Sequence, residues 1–392
     1  MKRSIRDLVD LEGKKILLRT DFNVPIDRVG RILDKTRINA AIPTIDYLVK
    51  KGAKVIICSH LGRPKGFDIK LSLWPISLIL MKYFPGKVQF SQKTIGERVK
   101  QQIDSLSNGS ILLLENTRFH QGETENDKKF AKELASLADI YVNDAFGVCH
   151  RKHASTYGAS RLLPNAIGFL VENELKAIEE GMKNPSHPFV AIFGGLKVED
   201  KIKVLSNLID KADTILIGGA MAYPFLVAKW ISVGRSPAST ACVATASEIL
   251  KEAEAKGKKI ILPVDHIAIR YNKPEKSFAT DVLEEDMIGV DIGPKTIELF
   301  IQEIKKAKQV IWNGPLGKYE DAKFTKGTSK IAEAIAESQS YSVIGGGDSI
   351  SAVNKTGKAN MISHLSTGGG ATMKLLEGNS LPCIEIIQEK II

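Results

Sequence analysis

The 392 residues carry 55 Lys and Arg against 45 Asp and Glu, a formal net charge of +10, with 43% hydrophobic and 26% charged residues. That length suits two domains of ordinary size, and that balance suits a chain with buried cores rather than a disordered or membrane-spanning one. Positive charge in excess points to nucleic acid, a membrane surface or small anionic substrates. No dense Lys/Arg run with interleaved aromatics stands out, so the third is favoured, with plain solvation accounting for many lysines.

The N-terminal Met1-Lys2-Arg3-Ser4 leads into Asp7, Asp10 and Glu12, which is no signal peptide. Cys58, Cys149, Cys242 and Cys383 are scattered without a C-x-x-C pair. They argue against a zinc site or a disulfide framework and fit a reducing cytoplasm.

Lys14 to Phe22 reads as a strand that Pro25 closes, because proline cannot donate to the ladder. Arg19, Asp21 and Asn23 alternate and so share one face at its end. Thr36 is placed to cap a helix running to Lys51, with Arg37 in its first turn. A cation there opposes the helix dipole and needs another reason to be present. Val55–Ser59 is a second strand, running into His60-Leu61-Gly62-Arg63-Pro64. Ile111–Leu114 precedes Glu115-Asn116-Thr117-Arg118-Phe119, and Ile140–Val142 precedes Asn143-Asp144, with His150-Arg151-Lys152-His153 beyond. Helical patterns at Glu97–Leu106 and Asp127–Ala138 separate these strands, an alternation that argues a doubly wound parallel sheet. Such sheets bind ligands at the carboxyl ends of their strands. Arg37, Arg63, Arg118, Arg151 and His60, collected at one edge, would form a basic basin for a small, strongly anionic ligand. His150 and His153 lack a third metal ligand nearby and suit packing or hydrogen bonding instead.

Pro164–Ile167 breaks structure, Val171–Lys183 reads as a helix between two α/β halves, and Pro185 and Pro188 end it. The second half opens on F-V-A-I-F-G-G-L-K-V-E-D-K-I-K from Phe189 to Lys203. It reads as a buried strand, a glycine turn at Gly194-Gly195, and an amphipathic helix from Val198. If both are helical, Lys197 and Lys201 lie on one face of a helix N-terminus, where anions are favoured. An ordinary turn with solvated lysines is the other reading of this stretch alone. The theme recurs: strands at Thr214–Ile217, Lys259–Leu262, Val310–Trp312, Ser342–Ile344 and Ile362–Leu365 mostly run into glycines. Glycine there would let an extended ligand lie against backbone. The Gly345–Ser349 loop at a helix start suits phosphate, and Asp348 suits an accompanying Mg²⁺ or a helix N-cap. Neither G-x-x-x-x-G-K-[ST] nor a strand followed by G-x-G-x-x-G is present, which excludes a P-loop and counts against a dinucleotide-binding dehydrogenase.

In order along the chain, R-T-D-F-N-V-P at 19–25, S-H-L-G-R-P at 59–64, E-N-T-R-F at 115–119, N-D-A-F at 143–146, H-R-x-H at 150–153, G-G-x-K-V-x-D-K at 194–201, W-N-G-P-L-G at 312–317, G-G-G-D-S at 345–349 and S-T-G-G-G-A at 366–371 resemble the phosphoglycerate kinase family. The resemblance implies two Rossmann-like, doubly wound parallel-sheet α/β domains joined by a hinge helix. The substrate domain would span 1–170, with a tail of about 372–392 packing back on it. The interdomain helix would span 171–185 and the nucleotide domain 186–371. It implies 3-phosphoglycerate at Asp21, Asn23, Arg37, His60, Arg63, Arg118 and Arg151. It implies ATP or ADP near Gly195, Lys197, Lys201, Asn313, Glu320, Gly346, Gly347, Asp348 and Ser349, with Mg²⁺ near Asp348. The expected reaction is reversible phosphoryl transfer from 1,3-bisphosphoglycerate to ADP. It would be catalysed by positioning and charge neutralisation through Arg37 and Lys197 in a cytoplasmic monomer without nucleic-acid or membrane partners. Another small-acid kinase and a basic nucleic-acid binder are the competing expectations.

Overall fold

The computed structural model describes residues 1–27, 29–196 and 201–390. Lys197 and the turn expected from Val198 therefore lie outside the described residues. The chain divides into two units, Met1–Leu175 with Ser380–Ile392, and Lys176–Asn379.

In the first unit the strands are β1 (Lys15–Thr20), β2 (Lys54–Cys58), β3 (Val88–Phe90), β4 (Ile111–Leu113), β5 (Ile140–Asp144) and β6 (Asn165–Ile167). The helices are α1 (Thr36–Lys50), α2 (Trp74–Tyr83), α3 (Glu97–Asp104), α4 (Gln121–Thr124), α5 (Lys128–Ala135) and the start of α6 (Phe169–Lys183). The strands form one sheet in the order β3-β4-β2-β1-β5-β6, and every neighbouring pair is parallel. Parallel strands are covered on both faces, which is why they read as unbroken apolar runs. Alternation then sorts each strand between two cores. Ile16, Leu18, Val55 and Ile57 pack with Ile38, Ile45 and Ile76 of α1 and α2. Leu17, Ile56, Leu112 and Tyr141 pack with Val99, Phe130 and Leu134 of α3 and α5.

The second unit contains β7 (Phe189–Phe193), α7 (Ile202–Ile209), β8 (Thr214–Ile217), α8 (Ala222–Ala228), α9 (Thr240–Ala255) and β9 (Lys259–Ile261). These are followed by β10 (His266–Arg270), β11 (Lys273–Thr280), β12 (Met287–Ile292), α10 (Pro294–Lys306), β13 (Gln309–Asn313), α11 (Lys326–Glu337), β14 (Tyr341–Gly345), α12 (Gly347–Lys355), β15 (His364–Ser366) and α13 (Gly370–Leu376). Its main sheet is again wholly parallel, in the order β15-β14-β13-β7-β8-β9. Val310, Trp312 and Ile344 of this sheet pack against Phe300, Ile304 and Ile331 of α10 and α11. The last short helix, α14 (Pro382–Glu385), belongs to the first unit, where Lys2 pairs with Glu389 at 2.7 Å and Asn165 accepts the Gln388 amide at 2.8 Å.

Three local expectations are corrected. Asn165–Ile167 does not break structure; it is the edge strand β6, paired to β5. Thr36 is the first helical residue rather than the cap, and Asp34 Oδ1 accepts both its amide, at 2.7 Å, and its hydroxyl, at 2.6 Å. Lys201 is the N-cap of α7, and the helical face it was expected to share with Lys197 lies outside the described residues. Gly346, at φ +95°, is the N-cap of α12, and Asp348 sits inside the first turn without capping it. The antiparallel sheet β11-β10-β12 was not anticipated. Its longest strand, β11 (K-P-E-K-S-F-A-T), is largely exposed and lacks the apolar signal that marks a buried strand.

Asp144 ends β5 and starts α6. Its Oδ1 accepts the amides of Leu170 at 2.9 Å and Val171 at 3.4 Å, while the Thr44 hydroxyl accepts the Phe169 amide at 2.9 Å. Gly168 must be glycine, since a Cβ there would collide with the Asp144 carboxylate. Burial is the main reason the Asp144 carboxyl is pushed up to about 7, against these hydrogen bonds, which favour its ionised form. Between pH 4 and 7 the native state therefore holds a proton that the unfolded chain has released, and stability falls as pH rises through that window. Chemical denaturation at pH 4.5 and pH 8 should show the wild type losing stability relative to Asp144→Asn, by up to a few kcal/mol. A difference that does not change with pH would refute the protonated state.

Candidate functional sites

Parallel strands all end on one edge, so the loops after β1, β2, β4 and β5 meet. Beneath them lies Arg19, wholly buried in β1. Its Nε donates to Ser155 Oγ at 2.7 Å, Ser155 Oγ donates to Glu123 Oε1 at 2.6 Å, and its Nη2 lies 3.9 Å from the same carboxylate. Nη2 also donates to His60 Nδ1 at 3.3 Å, which makes that nitrogen an acceptor. Burial first, and then Arg19, Arg118 and Arg37, hold His60 well below the ordinary histidine range. His60 is thus neutral and adds no charge to the basin, contrary to expectation.

Above this layer the loops are stitched together. Asn23 Oδ1 accepts the Gly62 amide at 2.9 Å, Asp21 Oδ2 accepts from Arg37 Nη1 at 2.5 Å, and Arg118 Nη1 donates to the Gly62 carbonyl at 2.6 Å. Arg118 is buried, yet its Nε has no partner. Burial, and then the fields of Arg19 and Arg151, bring its guanidinium down to about 10. Arg63, Arg118, Arg151, Lys65, His120 and His153 line a cavity of about 570 Å³. Among the described residues Arg63, Arg118 and Arg151 make no ion pair, so the basin carries surplus positive charge with a buried donor left over. Asp21, Asn23, Arg37 and His60 do not line that cavity. They form the wall beside it, joined through Gly62 and Arg19.

In the second unit a cavity of about 420 Å³ is lined by Gly195, Leu196, Ala220, Tyr223, Glu320 and Asp348, among others. Gly347 faces open space in the first turn of α12, and Asp348, beside it, is exposed. Other residues expected at the nucleotide also tie the fold together. Ser349 is buried and its Oγ accepts the Gly314 amide at 2.9 Å. Lys201 Nζ donates to the carbonyls of Gly194 and, at 3.3 Å, Asn313. Gly194 and Gly314 are glycine because β7 and β13 end back to back. A Cβ on Gly194 would collide with the Pro315 carbonyl, and one on Gly314 with that of Gly194. These glycines answer to neighbouring backbone rather than to an extended ligand, which corrects the uniform reading of glycine-lined strand ends.

Sequence reasoning missed Glu123, Ser155 and Asp291. Asp291, next to last in β12, accepts the Gly327 amide at 2.8 Å and lines the second cavity; burial pushes its carboxyl up to about 7. No local pattern marks any of the three, because each is defined by what lies across from it. No cluster of three or more His, Cys, Asp or Glu among the described residues could hold a metal by itself.

The chain thus has the two-unit doubly wound α/β architecture, one unit presenting unmatched guanidinium groups at its strand ends and the other an apolar slot with a bare helix start. The phosphoglycerate kinase family model matches residues 5–379, and the chain belongs to that family. It is 48% identical over 394 residues to the phosphoglycerate kinase of Pseudothermotoga lettingae, covering 99% of both chains. It is 47% identical over 395 residues to that of Dictyoglomus turgidum, covering 99% of this chain and 100% of the relative. The solved structure of the Coxiella burnetii phosphoglycerate kinase superposes with a TM-score of 0.86 at 35% identity over 99% of each chain.

His153 is held down at about 4 by burial and then by Arg19, Arg118, Arg151 and His150, which outweigh Glu123 at 4.0 Å. The unfolded chain takes up a proton near pH 6.5 that the native histidine refuses, so this group costs stability as pH falls below 6.5. Denaturant titrations at pH 7.5 and pH 5 should show the wild type losing stability relative to His153→Asn as pH drops. The opposite trend would mean that Glu123 holds the ring charged.

Proposed function

We propose that the chain catalyses reversible phosphoryl transfer between 1,3-bisphosphoglycerate and ADP, giving 3-phosphoglycerate and ATP. Three-phosphoglycerate occupies the basin of the first unit, where Arg63, Arg118 and Arg151 take its anionic groups in bidentate fashion. Asp21 and Asn23 hold the sugar-acid end, with neutral His60 as a hydrogen-bonding wall. The observation that carries this reading is the buried Arg118, whose free Nε and unmatched charge an anion would satisfy. A buried guanidinium without a carboxylate is costly in an empty site and favourable in a filled one.

ATP or ADP takes the second unit's cavity, with the base against the Gly195 and Ala220 backbone and the ribose near Glu320. The phosphates lie at the open α12 start formed by Gly346, Gly347 and Asp348. Lys201, Asn313 and Ser349 act there by fixing the strand ends. Asp348 makes no ion pair among the described residues, and a single free carboxylate beside nucleotide phosphates fits Mg²⁺, which takes few protein ligands when phosphates supply the rest. When bound, that ion would neutralise charge on the nucleotide phosphates.

An acyl phosphate is already activated, so proton transfer contributes little and catalysis rests on alignment and on cancelling charge on the moving group. Arg37, oriented by Asp21, and Lys197 are the donors proposed for its equatorial oxygens. A coupled assay with 3-phosphoglycerate and Mg-ATP should show turnover. Arg37→Ala and Lys197→Ala should each lower kcat roughly 10²–10³-fold, while Arg118→Met should act mainly on KM for 3-phosphoglycerate. Absence of turnover with 3-phosphoglycerate, alongside turnover of another small acid, would overturn the substrate assignment.

A further inference from the structure

The first unit holds a second hollow, of about 760 Å³, which shares no lining residue with the basin. One loop separates their linings: Arg63 to Gly66 line the basin, while Phe67 and Ile69 line the hollow. Its volume lies within the ordinary range for small-molecule sites. Three aromatic rings dominate it. Phe67 is 72% exposed and Trp74 47% exposed. Each meets its neighbour edge-on, Phe67 with Phe119 at 5.1 Å and Trp74 with Phe90 at 5.4 Å. An edge-to-face contact covers at most one face of one ring of the pair, which leaves other ring faces to stack on a planar partner.

The exposed charged groups of the hollow's lining have one sign. Lys93 and Arg98 are exposed in its lining and neither is in an ion pair among the described residues. The carboxylate of the lining, Glu115, is turned inward, accepting from Ser72 Oγ at 2.7 Å, the Leu73 amide at 2.9 Å and the Asn116 amide at 2.8 Å. It is therefore committed to the loops and does not neutralise the two cations. Aromatic faces beside unmatched positive charge are complementary to one chemistry, a flat ring carrying an acid. The basin's lining holds arginines and histidines and no Phe, Tyr or Trp ring.

We propose that this hollow binds a planar aromatic anion, with its ring between Phe67 and Trp74 and its acidic group on Lys93 and Arg98. The test uses the full chain and 8-anilinonaphthalene-1-sulfonate, titrated by fluorescence and calorimetry. One saturable site is expected, with the uncharged N-phenyl-1-naphthylamine bound about tenfold more weakly. The Lys93→Glu, Arg98→Glu double variant and, separately, the exposed Phe67→Ala should each weaken the sulfonate about tenfold, with turnover of 3-phosphoglycerate unchanged in the double variant. Sulfonate binding unaltered in both variants, equal affinity for the uncharged probe, or complete displacement by ATP would each overturn the proposal. Because these readouts do not involve phosphoryl transfer, their failure is distinct from failure of the kinase reading.

Discussion

The first unit depends on a guanidinium that never sees water. Arg19 has one carboxylate near it, Glu123 at 3.9 Å, reached mainly through Ser155. A buried charge must be matched or surrounded by hydrogen bonds, and this one is held by both means. Its field then propagates upward. Arg19 stands among the causes that keep His60 and His153 neutral and draw down Arg118. The basin above is cationic because its arginines outnumber its carboxylates, while burial, chiefly, lowers the proton affinity of His60, His120 and His153. Charge that the fold cannot cancel internally is left for a ligand to cancel.

The second unit solves a different problem. Seating a phosphate chain needs bare backbone amides, and bare backbone needs neighbouring strands to end close together. Gly194 and Gly314 make that closeness possible, and Lys201 and Ser349 hold it by tying carbonyls and amides across β7, β13 and α12. Gly347 faces open space, and Asp348 beside it is exposed. Much of the glycine-rich signature thus builds the platform, and a small part of it is left open for the proposed nucleotide.

Between the two lies α6, a helix that begins in one unit and ends in the other. Its start is fastened by Asp144 and Thr44, so the carboxyl end of β5 and the start of the helix are one piece of covalent and hydrogen-bonded structure. Its buried residues Ala177, Ile178 and Met182 belong to the second unit's packing. The same strand edge that builds the basin also anchors the connection.

The sequence by itself determined the strands, the helices between them and the rim on which charged residues gather. Apolar runs with period 2 or 3.6 are local signals, and parallel strands put all their following loops on one side. Phe189–Phe193 and Thr214–Ile217 were legible to the residue for that reason. Only the tertiary structure decided which polar residues face solvent, which cations are matched, and which glycines make room for backbone. Arg19 and Arg118 look alike in the chain; one is locked to Glu123 through Ser155 and the other keeps a free donor. The exposed antiparallel strand β11 was invisible because it buries too little to leave a periodic trace. Burial, partnership and field are properties of what lies across the fold from a residue, and nothing in its neighbours along the chain encodes them.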